Sequence, residues 1–207
     1  MKMHEFGKEN KQKILLLHGA GCTYKMWTPQ IEVLQKEYHV YAPTMSGHEL
    51  NDVDFISSTH EAELIITWFQ KHGINDLLLI CGASLGAHVA AEILQKQRTF
   101  AQYAMIESLK AYQYKGIILK LFSYIGNKVI KKCASTKGYM DGTYNQKYAS
   151  DDAKCTINNM SKKTLENIMI ESGNYQIKQQ ETKIFAETMI LYGSKEKKEC
   201  KSNTEIL

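Results

Sequence analysis

No stretch of this 207-residue chain is apolar for long enough to cross a bilayer, which takes about 20 consecutive apolar residues. The opening segment, Met1 to Lys13, is polar and charged and lacks the apolar centre of a secretory signal. Cysteine is present without a pattern. Cys22, Cys81, Cys133, Cys155 and Cys200 are odd in number, widely spaced and form no C-x-x-C pair. That excludes a disulfide frame and a zinc ribbon as organising devices, and it points to reduced thiols and a cytoplasmic location. No internal repeat and no low-complexity linker divides the chain. The net charge of +4 is mild, and the lysines are not interleaved with aromatics along one stripe, which excludes the pattern of a nucleic-acid binder. One dense group, Lys195, Lys197, Lys198 and Lys201, is broken by Glu196 and Glu199 and reads as a solvated helix face. The expectation is no metal, no cofactor, no nucleic-acid partner and no membrane partner.

A chain of this length forms one domain with a sizeable core. Its apolar runs are short and alternate with helical spacing. Ile14–Leu17 reads as a strand buried on both faces. A helix follows over Thr28–Lys36, with Pro29 in its first turn, where proline is tolerated. His39–Ala42 is the second strand. Thr59–His72 is a helix with Thr59 as N-cap and Gly73 as stop. Leu77–Cys81, Gln102–Ile106 and Glu187–Tyr192 are three further strands, and Leu85–Lys96 is a helix. Strands alternating with helices specify an α/β fold, a mostly parallel sheet with helices on both faces.

Between the third strand and its helix lies Gly82-Ala83-Ser84-Leu85-Gly86. A G-x-S-x-G at a strand-to-helix junction is a tight corner that lifts one hydroxyl above the sheet, and flanking glycines are needed because a Cβ would clash at so sharp a reversal. Ser84 is the candidate nucleophile. Its alternative reading is a structural turn serine.

Four segments in order resemble the α/β-hydrolase family: the first strand with His18-Gly19-Ala20-Gly21 and Trp27; the turn Pro43-Thr44-Met45-Ser46-Gly47-His48; the Ser84 corner; and Ile190-Leu191-Tyr192-Gly193-Ser194-Lys195-Glu196. The resemblance implies a three-layer α/β-hydrolase fold and a serine hydrolase acting by acyl transfer on a small-molecule ester, thioester or amide. It implies Ser84 as nucleophile, the N–H groups of Ala20 and Leu85 as oxyanion hole, and Glu196 as the acid, with Glu107 as the alternative acid.

In that family the histidine follows the acid. The seven histidines here are His4, His18, His39, His48, His60, His72 and His88, and none follows Ser84 at the family's distance. The resemblance therefore implies a C-terminally shortened chain, lacking the last strand and the histidine loop, with weak or absent activity. A catalytically silent binding or regulatory protein is the other reading. His18 and His48 read as packing residues of their loops, His88 as packing against the sheet or facing solvent, and His60 and His72 as exposed.

The chain divides into a core, residues 1–110 and 184–207, and a helical cap insertion, residues 111–183. The insertion reads as helices over Tyr112–Cys133 and Lys163–Glu171 around a polar stretch, Ser135–Asp152, either covering a site or serving as padding. Trp27, Tyr112, Tyr114, Tyr139 and Tyr144 could line an acyl pocket or simply pack. An uncovered edge at Thr188–Tyr192 invites self-association.

Overall fold

The computed structural model describes residues 1–50, 52–110, 113–135, 147–177 and 184–194. Six strands form one sheet: β1 (Glu5–Phe6), β2 (Lys13–Leu17), β3 (His39–Tyr41), β4 (Leu77–Ala83), β5 (Ala101–Glu107) and β6 (Glu187–Leu191), in the order β1-β3-β2-β4-β5-β6. β1 runs antiparallel to β3, and every other neighbouring pair is parallel. Helices α1 (Thr28–Leu34), α2 (Ser58–Lys71) and α3 (Leu85–Lys96) connect the strands. Among the described residues a further three, α4 (Gly116–Ser135), α5 (Lys147–Asn159) and α6 (Lys162–Asn174), lie between β5 and β6.

The unbroken apolar run of β2 has a simple cause: both of its faces are covered. Leu15 and Leu17 enter one core with Ile80, Ala104, Ile106 and the inner faces of α2 and α3. Ile14 and Leu16 enter a second core with Trp27, Ile31 of α1, Val40 and Cys81. Successive side chains of a strand point to opposite faces, so a two-sided core demands consecutive apolar residues. Toward β6 the second face thins out, leaving Tyr103 at 47% and Met189 at 59% exposure. β6 ends the sheet among the described residues.

The expected strands and core helices are present, with differences of detail. The cap of α2 is Ser57, whose hydroxyl accepts from the His60 N–H, and not Thr59. The tertiary setting decides this. The Ser58 N–H is taken by the Glu171 carboxylate at 3.1 Å, and Thr59 turns its hydroxyl to Glu92 at 3.0 Å. β1 has no counterpart among the expected strands, and α5 occupies part of the stretch read as polar and irregular. α4 starts at Gly116. Among the described residues no helix is long and apolar enough to cross a membrane.

Candidate active site

The corner after β4 is set by sterics. A Cβ on Gly82 would lie 2.3 Å from the Gly86 carbonyl oxygen, and one on Gly86 would lie 2.3 Å from that of Leu17. Only glycine lets the strand, the returning helix and β2 approach so closely. Ser84 at the apex holds φ +53° and ψ −112°, a left-handed conformation that costs a non-glycine residue about 1–3 kcal/mol. Its N–H donates to the Glu107 carbonyl at 2.9 Å, which fastens the corner to β5. Its carbonyl accepts from the Ala87 N–H at 2.9 Å and opens α3. The Ser84 side chain is exposed and makes no capping bond. Leu85, the first residue of α3, presents an N–H that has no acceptor within the helix.

The His18–Gly21 loop lies beside this apex. A Cβ on Gly19 would fall 3.7 Å from the Ser84 Cβ, so the Gly19 backbone stands against the serine, with the half-buried Ala20 next in the loop. The loop is fastened from above by α5. Asp152 Oδ2 accepts from the Thr23 hydroxyl at 2.7 Å and from the Thr23 N–H at 3.2 Å, and Lys25 Nζ lies 3.3 Å from Oδ1. Ile157 packs so tightly over Gly21, itself at φ +76°, that a Cβ there would lie 2.7 Å from Ile157 Cγ1. α6 is fastened in turn to the segment after β3. The Phe55 N–H donates to Thr164 Oγ1 at 3.2 Å, and Asn167 Nδ2 donates to the Phe55 carbonyl at 2.7 Å. Asp152, Thr164 and Asn167 carried no signal in the sequence, because polar residues in a polar stretch reveal a role only when their distant partners are placed.

The histidines sit elsewhere. His18 is fully buried. Its Nε2 accepts from the Met45 N–H at 3.0 Å, so Nδ1 carries the proton and donates to the Gly19 carbonyl at 2.8 Å. Burial, with His48 beside it, holds this imidazole well below its ordinary range. His48 packs edge-on against it at 4.8 Å between ring centres, donates from Nδ1 to the Ser46 carbonyl at 3.0 Å, and is pushed by burial down to about 4. His88 stacks on Tyr175 at 4.0 Å, donates from Nε2 to the Lys110 carbonyl at 2.9 Å, and is likewise pushed down to about 4 by burial. His72 is exposed and stacked on Trp68. His60 is half-buried, not exposed. Among the described residues no imidazole bonds to the Ser84 hydroxyl.

Of the two candidate acids, Glu107 ends β5 opposite Ala83, with its side chain exposed beside the corner. Glu196 lies outside the described residues, as do Tyr112, Tyr139 and Tyr144. Trp27 is buried in the second core, and Tyr114 tilts against Phe122 at 5.1 Å between ring centres. Cys22 is buried beside Ala153 and Ile157 of α5. Among the described residues no group of three histidine, cysteine or acidic side chains is placed to hold a metal ion.

Comparison with known proteins follows the same residues. The model of the alpha/beta hydrolase family matches residues 14–123, which run from β2 through the Ser84 corner into α4. A Mycoplasma pneumoniae protein bearing the name esterase/lipase 3 is 33% identical over 91 residues, 42% of this chain and 32% of that protein. The chain thus matches about a third or less of the length of the curated relatives it resembles. Among solved structures, an alpha/beta hydrolase family protein from Desulfitobacterium hafniense superposes with a TM-score of 0.81 at 17% identity, covering 99% of this chain and 84% of that one. An esterase from Exiguobacterium antarcticum superposes with a TM-score of 0.75 at 14% identity, covering 99% and 82%. The family match spans more than half of the chain and includes the glycine-bounded corner and the loop beside it, and on that ground the chain belongs to the alpha/beta hydrolase family.

Proposed function

We propose that the chain is a serine hydrolase that acts on a small ester, thioester or amide through an acyl-enzyme at Ser84. The observation that carries this reading is the strained apex: an exposed hydroxyl at φ +53°, beside the unpaired first N–H of α3 and the Gly19–Ala20 backbone. Ser84 Oγ attacks the substrate carbonyl, forming the C–O bond. The carbonyl oxygen becomes an oxyanion held by the Ala20 and Leu85 N–H groups, and collapse of this adduct expels the alcohol, thiol or amine, leaving the acyl group on Ser84. The proton of Ser84 must pass to a base and then to the leaving group. Glu196 or Glu107 supplies the carboxylate that steadies such a base. None of the chain's seven imidazoles is placed for this proton, so turnover by this chain alone is weak or absent. Oxyanion-hole catalysis of the kind that survives loss of a triad member is what remains.

The lack of an imidazole at Ser84 supports a second reading, a silent binding protein that keeps the pocket. Reaction with a fluorophosphonate, followed by intact mass, separates the two. A hydrolase site gives slow adduct formation that Ser84→Ala abolishes and that an added histidine-bearing segment accelerates. Ligand binding left intact by Ser84→Ala, with no adduct under either condition, supports the silent protein. Helices α4–α6 roof the site under this reading and select the acyl group, and the outer edge of β6 favours self-association, which size-exclusion chromatography at micromolar concentration measures.

A further inference from the structure

α4 has two unlike faces. Its inner face, with Leu119, Phe122 and Gly126, packs on α6, where Met169 fills the space above Gly126 and Gly173 admits the Leu119 and Phe122 side chains. Its outer face is apolar and bare. Ile117 is 82% exposed, and Ile118, Leu121, Tyr124, Ile125 and Val129 are each at least half exposed. These six positions fall on one arc at helical spacing. No aspartate or glutamate occurs in the helix, while Lys120, Lys128, Lys131 and Lys132 do, with Lys115 just before it. Lys120 and Lys131 border this arc, whereas Lys128 and Lys132 fall within it in the last turns of the helix, the Lys128 ammonium 4.3 Å from the Tyr124 ring centre. A groove of about 830 Å³ runs between α4 and α6, with Lys120, Lys128, Lys131 and Lys162 along it. Glu166 is the acid on its wall, 3.6 Å from Lys162.

We propose that α4 is an interfacial anchor that lays its outer face into a membrane surface bearing anionic lipid headgroups. Charge complementarity selects this occupant. An exposed apolar arc over the first turns, with lysines at its border and on its last turns and without an acid in the helix, matches hydrocarbon and negative headgroups. A second copy docked through the same arc would bring these lysines against their own kind. A nucleic acid would leave the isoleucines in water. The expectation of no membrane partner rested on the lack of a spanning run, and a helix lying in the interface needs none. The inference does not depend on the role of Ser84.

The test is co-sedimentation of the full chain with vesicles of phosphatidylcholine alone or of phosphatidylcholine and phosphatidylglycerol in equal parts, at low and high salt. The expected result is binding to the mixed vesicles, weakened at high salt, and reduced about tenfold or more in Ile118→Asp/Ile125→Asp, both of whose sites are on the exposed arc. Lys120→Gln/Lys128→Gln weakens binding to the mixed vesicles and leaves any residual binding to neutral ones unchanged. Tyr124→Trp serves as a milder variant whose emission shifts to the blue only with the mixed vesicles. Absence of binding to the mixed vesicles, binding equal in the aspartate variant, or a dimer that this variant dissolves without any lipid binding would each overturn the proposal. The last outcome would assign the arc to a second copy.

Discussion

The corner around Ser84 and the helices between β5 and β6 are built on opposite terms. At the corner, backbone meets backbone. Gly82, Gly86, Leu17 and the start of α3 leave no room for a methyl group, and α3 is buried over almost its whole length. In α4 one face is packed and the other is open to water. The first region has a single allowed conformation dictated by sterics, whereas the second joins the core through the buried side chains of Leu165, Ile168 and Tyr175 and a few polar ties, and keeps a surface to spare. Precise placement of one hydroxyl requires the former, and adaptable contact with something outside the molecule requires the latter.

The largest effect should come from breaking the corner. Gly86→Ala drives a Cβ to 2.3 Å from the Leu17 oxygen and should cost about 4 kcal/mol or unfold the chain, as read by urea denaturation. The contrast is sharpened next by one substitution made in both regions. Ile80→Ala, at a fully buried site, should lose about 3 kcal/mol. Ile118→Ala, on the bare face, should stay within about 0.5 kcal/mol of the parent.

Acid should act chiefly through buried imidazoles on the core side. His48 and His88 are held at about 4 when folded, and unfolded imidazoles titrate near about 6.5. The unfolded chain therefore binds protons first, so the stability present above about 6.5 falls away as pH drops toward about 4, by up to about 3 kcal/mol for each imidazole. Burial raises Glu61 and Glu171, which lose stabilising effect in the other direction, as pH rises through their folded values. Urea midpoints across this range measure the balance, and His88→Phe should flatten the slope below neutrality. Removing the tie between the regions has a smaller effect. Asp152→Ala frees the Thr23 hydroxyl and N–H and should cost about 1–2 kcal/mol, with faster amide exchange in α5 than in β4. One small change has the opposite sign. Ser84→Gly relieves the strained apex and should stabilise the fold by about 1 kcal/mol while abolishing fluorophosphonate labelling.

The same contrast explains what could be read in the sequence. Ile14–Leu17 and Leu77–Cys81 announce two-sided burial, and Gly82-x-Ser84-x-Gly86 announces its corner, because in each case a local steric rule leaves few alternatives. β1 could not be foreseen. Glu5 and Phe6 pair with Tyr41 and Val40, and two residues carry no periodicity. Ser57, Ser58 and Thr59 are three competent caps in a row, and partners more than thirty residues away, Glu92 and Glu171, decide among them. α5 is hidden by its polarity, since Asp152 faces Thr23 and, among its described side chains, Ala153 and Ile157 are the ones that reach an apolar cluster. The apolar spacing of α4 announces a helix but not which side is covered. The placement of the Glu107 carbonyl against the Ser84 N–H likewise belongs to sheet register and not to any motif.

The carboxylate of Asp152 grips both polar groups of Thr23, three residues from the backbone that flanks the serine. Roof and loop are thereby joined as parts of one lever. A body that pulls on α5, whether a lipid tail entering from outside or a designer exchanging one roof for another, also moves the Ala20 amide. Under the proposed function, selectivity and reactivity are therefore coupled through one carboxylate, and a graft of these helices must bring its own loop.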